Sequence, residues 1–154
     1  MSFKVRACVA VGANLGDAQA TVAQALADLA HLPHTQLHKV SSLYRSAPYE
    51  AQGPDFINAV ALVDTALAPE DLLTALQAME LQQGRERPYQ NAPRTLDLDL
   101  IFYGDVQRHT ERLTLPHPRW QERAFVLQPL AEVWPERVTA VQLHAVQDQV
   151  IQKI

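Results

Sequence analysis

The chain has 154 residues, of which 47% are hydrophobic and 19% are charged, a balance that supports a globular core and excludes a disordered chain. The net charge of −4 offers no general attraction to nucleic acid or to an anionic membrane. The single cysteine, Cys8, excludes an internal disulfide framework, and without a signal peptide or an apolar run of about 20 residues the expected location is cytoplasmic.

The apolar pattern predicts four strands and two long helices, followed by a less regular C-terminal part. Strand patterns cover residues 3–11, 36–45, 56–64 and 95–103. The first helix is expected to begin after the N-cap Asp17 and to end before Pro33. The second is expected to begin at Pro69 and to end at Gly84. A short helix is expected near 121–131, and the tail after it shows no assignable element.

The order strand, helix, strand, strand, helix, strand is typical of a ferredoxin-like α+β sandwich, with helices on one face of a mainly antiparallel sheet. We therefore expect residues 1–154 to form a single domain of this class. Side chains alternate along a strand, so the last predicted strand should direct its leucines and one phenylalanine to the core. These residues are Leu96, Leu98, Leu100 and Phe102.

Two aspartates on that strand, Asp97 and Asp99, carry the strongest chemical signal. Side chains two residues apart on a strand point the same way, so both carboxylates should leave one face, with Cα atoms about 6.6 Å apart. A divalent cation relieves their repulsion, and Mg²⁺ is usually held by one or two carboxylates together with substrate phosphates. The alternative is an exposed polar face paired with arginines, which the two aspartates alone would favour.

Arginine is concentrated around this strand. Seven of the ten arginines lie between residues 85 and 123, and guanidinium groups match the geometry of phosphate and carboxylate. The loop 84–93 carries Arg85 and Arg87 and is either a lid over a charged substrate or an ordinary surface connection. Together with the aspartates, the arginines indicate a nucleotide site, whereas alone they would indicate a solvated charged face.

Several polar residues allow two interpretations each. His117 lies between two prolines, where it either contacts a phosphate or a metal or serves only the turn. Asn58 interrupts an apolar strand and either faces solvent or hydrogen-bonds a ligand. Gln77 and Glu80 share one face of the second helix, and this spacing alone favours a solvated face. The glycines at 12 and 16 are not followed by Gly-Lys-Ser/Thr, so they form no P-loop.

Seven short motifs occur in a specific order and spacing between residues 9 and 133. They are GANLGD (12–17), SSLY (41–44), PDFINAV (54–60), ELQQGR (80–85), PRTLDLDL (93–100), LPHPR (115–119) and RAFVL (123–127). Each motif is weak by itself, but in this order and at this spacing the chain resembles the 6-hydroxymethyl-7,8-dihydropterin pyrophosphokinase family.

The resemblance implies an enzyme that transfers diphosphate from ATP to the hydroxymethyl group of the pterin, with release of AMP, in tetrahydrofolate biosynthesis. It implies two Mg²⁺ ions held by Asp97 and Asp99. Catalytic roles are implied for Arg85, Arg94, Asp97 and Asp99. Contacts with ATP are implied for Gln77, Glu80, Arg85, Arg87, Arg94, Leu100, Arg112, Thr114, His117 and Arg123. A pterin pocket is implied for Ser46, Ala47, Tyr49, Phe56, Asn58 and Phe125, in which Phe125 stacks on the ring and Asn58 hydrogen-bonds its edge.

Three other functions fit the same order of elements. An RNA-binding domain of the RRM type would need stacking aromatic and basic side chains where Asp97 and Asp99 lie. A regulatory ligand-binding module has no need for the motifs around these aspartates. A catalytically degenerate module that binds pterin or nucleotide remains the main alternative to the active enzyme. The expected partners are the small molecules ATP and the pterin, with no nucleic acid, no membrane and a monomer as the default.

Overall fold

One antiparallel sheet organises the structure, a computed structural model that describes residues 4–48, 53–83 and 96–154. The strands are β1 (Val5–Ala13), β2 (Thr35–Val40), β3 (Tyr44–Ser46), β4 (Phe56–Thr65), β5 (Asp97–Tyr103), β6 (Arg108–His109), β7 (Thr114–Leu115) and β8 (Ile151–Lys153). The helices are α1 (Ala18–Leu29), α2 (Pro69–Gln82), α3 (Ala124–Val133) and α4 (Ala140–Ala145). The sheet has the order β5-β1-β4-β3-β8, β2 also pairs with β4, and β6 and β7 form a separate hairpin.

The predicted α+β order is confirmed. All the pairings of β1 to β5 that the structure describes are antiparallel, and β1 lies between β4 and β5. The predicted second strand, 36–45, is divided into β2 and β3. Between them, the buried Ser41 donates its N–H to the carbonyl of Val60, and its Oγ accepts the N–H of Val60, both at 2.9 Å. A side-chain oxygen thus takes the place of a backbone acceptor and interrupts the strand.

The two helices of the predicted order, α1 and α2, share one face of the sheet as expected, and α3 covers the other face, which the prediction did not include. On one face, α1 and α2 pack on the odd-numbered residues of β1, such as Val9 and Val11. On the other face, α3 packs on the even-numbered Cys8 and Ala10. Both faces of β1 and β4 are therefore buried, which explains their nearly continuous apolar sequences.

A β-bulge changes the phase of β5. Val9 pairs with Leu100 and Cys8 pairs with Phe102, so Ile101 is the extra residue. Leu98 and Leu100 face α1 and α2 as expected, but Phe102 faces α3, contrary to the prediction. The side-chain alternation predicted for the whole strand holds only on the N-terminal side of the bulge.

The helix ends follow local chemistry. Asp17 is the N-cap of α1 as predicted, with its Oδ1 accepting the N–H of Ala20 at 3.1 Å. The helix ends at Leu29, four residues before the predicted stop at Pro33. Helix α2 begins at Pro69 and ends with Gln82, and the predicted stop at Gly84 lies outside the described residues.

The C-terminal part has more structure than the sequence predicts. The helix expected near 121–131 is a 3₁₀ turn, Trp120–Glu122, followed by α3. After it come α4 and β8, and β8 pairs with β3 at the edge of the sheet. None of the helices in the described ranges combines the length and the apolar composition needed to cross a membrane.

Glu132 connects α3 with strand β3 and with the residues just before it. Its two carboxylate oxygens accept hydrogen bonds from the Ser42 N–H and Oγ and from the Tyr44 hydroxyl, at 2.7–3.1 Å. Partial burial raises the pKa of Glu132, but the hydrogen bonds from Tyr44 and Ser42 outweigh it and hold the pKa below its ordinary value. The ionised carboxylate is therefore the form that the folded state favours.

Replacement of Glu132 by Ala should lower the free energy of unfolding at pH 7 by about 1 kcal/mol, a value reduced for solvent screening at this exposed position. A depressed folded-state pKa contributes stability above pH 4.5, and this contribution is lost as the pH falls through the folded-state value. Denaturant unfolding should therefore show a smaller difference between wild type and Glu132→Ala at pH 3 than at pH 7. The exposed Glu136→Ala variant is the control, and an equal difference at both pH values would contradict the assignment.

Candidate active site

Three residues lie side by side at one end of the sheet. Gly12 on β1 is paired with Asp97 on β5 and with Asn58 on β4. Directly opposed residues project to the same face, so an acid and an amide flank a position without a side chain. A Cβ on Gly12 would come within 3.1 Å of the Asn58 Nδ2 atom. Glycine therefore keeps the floor open between the two polar groups.

A pocket rises over this floor, and we call it the Gly12 pocket. Its floor consists of Ala10, Val11 and Gly12, and its walls are Ala47, Phe56, Asn58, Asp97, Asp99, Arg119, Arg123 and Phe125. The strands provide the acids and the amide, whereas the 3₁₀ turn and the start of α3 provide the arginines and Phe125. The face that binds α3 further along the sheet is open here, which leaves room for a ligand.

Asp97 and Asp99 leave the same strand face, as their spacing predicts, and both are half-buried. Asp99 Oδ2 lies 4.0 Å from Nη1 of Arg123. No group of three or more His, Cys, Asp or Glu side chains within residues 4–48, 53–83 and 96–154 forms a metal cage. Two carboxylates are nevertheless a fitting partial ligand set for Mg²⁺, which prefers oxygen and leaves positions for water and phosphate.

Asn58 is held by a buried hydrogen bond. The Oγ of Ser46 donates to Oδ1 of Asn58 at 2.5 Å, and both side chains are buried. This bond fixes the amide with Nδ2 over Gly12. The expectation that Asn58 either faces solvent or binds a ligand is thus resolved against solvent, since the amide lies in the wall of the pocket.

A second, more open cleft adjoins the first, and we call it the Leu100 cleft. It is lined by Leu73, Leu98, Asp99, Leu100, Glu111, Arg112, Leu113, Thr114, His117 and Pro118. Asp99 lines both cavities, so it stands at their junction. Arg112 also donates to the Thr74 hydroxyl, which ties the hairpin of β6 and β7 to α2.

His117 serves the turn and also reaches the cleft. Its backbone N–H donates to the carbonyl of Ile101 at 2.9 Å, and its Nδ1 accepts the N–H of Arg119 at 3.1 Å. Burial lowers the pKa of the His117 ring, and the positive charges of Arg123 and Arg119 lower it further. Because Nδ1 accepts a hydrogen bond, the proton of the neutral ring lies on Nε2, which can act as a hydrogen-bond donor.

Glu80 and Gln77 have different surroundings. Gln77 is exposed, as the spacing suggests, but Glu80 is only 4% exposed, so the solvated face predicted for it is wrong. Helix α2 packs against β5 and turns Glu80 toward the strand, where Oε2 accepts the N–H of Leu98 at 2.8 Å. Neither residue is among those that line the Gly12 pocket or the Leu100 cleft.

The structure brings together most of the residues singled out from the sequence, in two groups. Ala47, Phe56, Asn58 and Phe125 line the Gly12 pocket, with Ser46 beneath Asn58. Leu100, Arg112, Thr114 and His117 line the Leu100 cleft. Tyr49, Arg85, Arg87 and Arg94 lie outside the described residues, as does the loop 84–93 proposed as a lid.

Four positions that line the Gly12 pocket were not among the predicted site residues: Ala10, Val11, Gly12 and Arg119. Arg119 is the last residue of the motif LPHPR. Its role could have been predicted from the sequence, because an arginine next to a proline-fixed turn is well placed to bind an anion. Gly12 lies at the end of an apolar strand, where a glycine often marks a close approach to a ligand.

Comparisons with known proteins show to which family the chain belongs. Residues 8–135 match the family model described as 7,8-dihydro-6-hydroxymethylpterin-pyrophosphokinase (HPPK). The chain is similar to the 2-amino-4-hydroxy-6-hydroxymethyldihydropteridine pyrophosphokinase of Pseudomonas aeruginosa, with 48% identity over 132 residues that cover 85% of this chain and 82% of that protein. The chain belongs to the HPPK family. A Synechocystis protein of the same name is 45% identical over 86% of this chain and 68% of its own length.

Family membership confirms the predicted resemblance and the predicted activity, transfer of pyrophosphate to 6-hydroxymethyl-7,8-dihydropterin. The chain is an enzyme of the pyrophosphokinase class. The RNA-binding, regulatory and catalytically degenerate alternatives are not favoured.

Solved structures show the same fold. The wild-type HPPK-DHPS of Plasmodium falciparum with pterin and p-hydroxybenzoate superposes with a TM-score of 0.68 and 13% identity, over 88% of this chain and 40% of that chain. An HPPK-DHPS in complex with substrates gives a TM-score of 0.68 and 12% identity, over 94% of this chain and 43% of that chain. The chain thus spans about two-fifths of these longer proteins, and the likeness concerns the fold.

Glu80→Ala should lower the free energy of unfolding by about 2 kcal/mol, because it leaves the buried N–H of Leu98 without this acceptor. Glu80→Gln should lose less, since its amide oxygen still accepts that bond. The matched control is Gln77→Ala on the exposed side of the same helix, expected within about 0.5 kcal/mol of wild type. Chemical denaturation measures all three, and equal losses for Glu80→Ala and Gln77→Ala would contradict the buried contact.

Proposed function

We propose that the Gly12 pocket binds the pterin, that the Leu100 cleft binds ATP, and that diphosphate transfer takes place where they meet. The observation that carries this proposal is the position of Asp99, which lines both cavities. A group transferred between two substrates must lie between their sites, next to the residues that neutralise its charge. Asp97, Asp99 and Arg123 are the charged groups at this junction that support the proposal.

The Gly12 pocket suits a flat heterocycle with a polar edge. Phe56 and Phe125 provide aromatic surface, and Asn58 provides an amide whose orientation is fixed by Ser46. The absence of a side chain at Gly12 gives the ring room beside that amide. We propose that Phe125 stacks on the pterin and that Asn58 hydrogen-bonds its edge, with Ala47 and Tyr49 completing the pocket.

The Leu100 cleft suits a nucleoside with an anionic tail. Leu98 and Leu100 give it an apolar side for a base, while Arg112, Thr114 and His117 give it hydrogen-bond donors. The neutral His117 ring acts here as a donor rather than as a cation. We propose further contacts with ATP from Gln77, Glu80, Arg85, Arg87 and Arg94, as the resemblance implies.

The transfer is an in-line displacement at the β-phosphorus. A bond forms between this phosphorus and the hydroxymethyl oxygen of the pterin, and the bond to the oxygen shared with the α-phosphorus breaks. AMP leaves with that oxygen, and the hydroxyl proton is released. Because phosphoryl transfer depends mainly on positioning and on charge neutralisation, Arg123 contributes by holding a fixed positive charge at the junction.

Asp97 and Asp99 are the residues that would hold Mg²⁺, and two ions are proposed from the resemblance. Bound Mg²⁺ supplies neutralisation of phosphate charge and lowers the pKa of the attacking hydroxyl. The position of the two carboxylates is fixed, because Leu98 and Leu100 are buried on the opposite face and prevent the strand from turning. A single domain, a monomeric state and a cytoplasmic location stay predictions.

Purified protein incubated with ATP, Mg²⁺ and 6-hydroxymethyl-7,8-dihydropterin should release AMP, measured by chromatography, and should release none when the pterin is omitted. Formation of ADP in place of AMP would place the reaction at the γ-phosphorus and contradict the proposed mechanism. Binding of both ligands without any turnover would instead favour the degenerate module.

Asp97→Asn should lower kcat about a thousandfold or more, because it removes one of the two charges that would hold the metal. The dissociation constant of the pterin, followed by its fluorescence, should stay within about threefold of the wild-type value. Asp71→Asn, which removes the same charge from the exposed start of α2, should leave kcat unchanged. Chelation of Mg²⁺ with EDTA should abolish wild-type turnover, and a wild-type rate in Asp97→Asn would refute the assignment.

A further inference from the structure

Helix α3 begins with an unusual residue. Its N-cap is Arg123, with an extended backbone (φ −123°, ψ 114°) and no side-chain hydrogen bond to the helix. Good N-caps are Ser, Thr, Asp and Asn, whose oxygens accept the first helical N–H groups, whereas arginine carries only donors. The Arg123 side chain points to the pocket instead, where it lies 4.0 Å from Asp99 and 5.4 Å from the centre of the Phe125 ring.

A distant side chain supplies the missing cap. Oε1 of Gln149 accepts the N–H of Ala124, the first residue of α3, at 2.9 Å. Its Nε2 donates to the carbonyl of Glu122 at 2.7 Å. A single amide therefore binds the backbone on both sides of Arg123, which is the residue that forms the charged wall of the Gly12 pocket.

The residues that follow Gln149 hold another part of the wall of the same pocket. The carbonyl of Val150 accepts the N–H of Ala47 at 3.1 Å, and Ile151 of β8 pairs with Ser46 of β3. Residues 149–151 thus connect the wall that contains Ala47 with the wall that contains Phe125. This segment lies beyond residue 135, where the match to the family model ends.

We infer that Gln149 is a positioning residue for the pterin site. It caps α3 from the C-terminal segment, so that position 123 can hold an arginine directed at the pocket rather than a capping side chain. It also sets Phe125 at a defined distance from Ala47, across the space where the proposed pterin ring stacks. Gln149 touches no substrate and acts through Arg123 and Phe125. The geometry of this inference comes from the two hydrogen bonds of Gln149. Its kinetic consequences rest on the proposed function.

The test compares Gln149→Ala with Gln147→Ala, an exposed glutamine two residues earlier whose side chain lies beside the His144 ring. For Gln149→Ala we expect kcat/KM for the pterin to fall about tenfold, the effect of losing about one to two net hydrogen bonds. The KM for the pterin should rise through Phe125 and kcat should fall through Arg123, while the KM for ATP stays within about twofold because this amide contacts no residue of the Leu100 cleft. Gln147→Ala should match wild type in both constants.

Gln149→Glu separates the two bonds. Its carboxylate still accepts the N–H of Ala124 but cannot donate to the carbonyl of Glu122, so we expect a KM for the pterin between those of wild type and Gln149→Ala. Hydrogen exchange of the Ala124 amide, followed by NMR, should be accelerated about tenfold or more in Gln149→Ala and should stay protected in Gln149→Glu. If Gln149 only stabilised the fold, Gln149→Ala would lower the thermal midpoint and the fraction of active protein without a selective change in the KM for the pterin.

An unchanged KM for the pterin in Gln149→Ala, or unchanged exchange of the Ala124 amide, would overturn the inference. If Gln149→Ala does not fold, Gln149→Glu decides. A wild-type KM and a wild-type kcat in Gln149→Glu would show that the bond to Glu122 has no role and would overturn the inference that Gln149 holds the backbone on both sides of Arg123. If wild-type protein releases no pterin-dependent AMP, the proposed function fails by itself. Exchange of the Ala124 amide then decides alone whether Gln149 holds the start of α3.

Discussion

The register of β1 between β4 and β5 is the constraint on which the active end of the molecule depends. Because side chains alternate, the burial of Leu98 and Leu100 under α1 and α2 forces Asp97 and Asp99 to the opposite face. A slip of one residue would bury both carboxylates in the core and expose both leucines. It is disfavoured because the free energy gained by burying the two leucines would be lost. The hydrophobic core therefore determines where the charges lie, and the same register brings Gly12 between Asp97 and Asn58.

The edge position of β5 gives Glu80 its structural role. The Leu98 N–H donates to the Glu80 carboxylate rather than to another strand, so α2 holds the strand at the residue between the two aspartates. On the α3 face, the bulge at Ile101 places Ile101 and Phe102 in the same apolar cluster as Trp120. The apolar cluster under α3 thus extends along β5 as far as Ile101, two residues after Asp99. The pocket begins where this cluster ends.

The sequence was informative where a pattern is long and regular. β1, β4, α1 and α2 were predictable because continuous apolar runs and helical spacing leave little choice, and the aspartates of β5 were predictable from the leucines that alternate with them. The bulge was not, since residues 100–103 are all apolar and show no phase. The interruption at Ser41 depends on a side-chain contact with Val60, and the burial of Glu80 depends on how α2 packs. The cap at Ala124 comes from a residue 25 positions away, which no local pattern can reveal.

The positive charge at the junction of the two cavities comes from arginine rather than from histidine. Arg123 and Asp99 approach only to 4.0 Å, a weaker contact than a close bidentate pair, so the guanidinium can turn to a phosphate without breaking a strong bond. Burial and the two neighbouring arginines lower the pKa of His117, so the ring is not a source of positive charge near neutral pH. The positive charge of the site then resides in guanidinium groups, which do not titrate in proteins. In the proposed reaction this arrangement keeps the electrostatic field on the diphosphate constant across physiological pH, and it assigns proton-dependent behaviour to the substrate hydroxyl rather than to the protein.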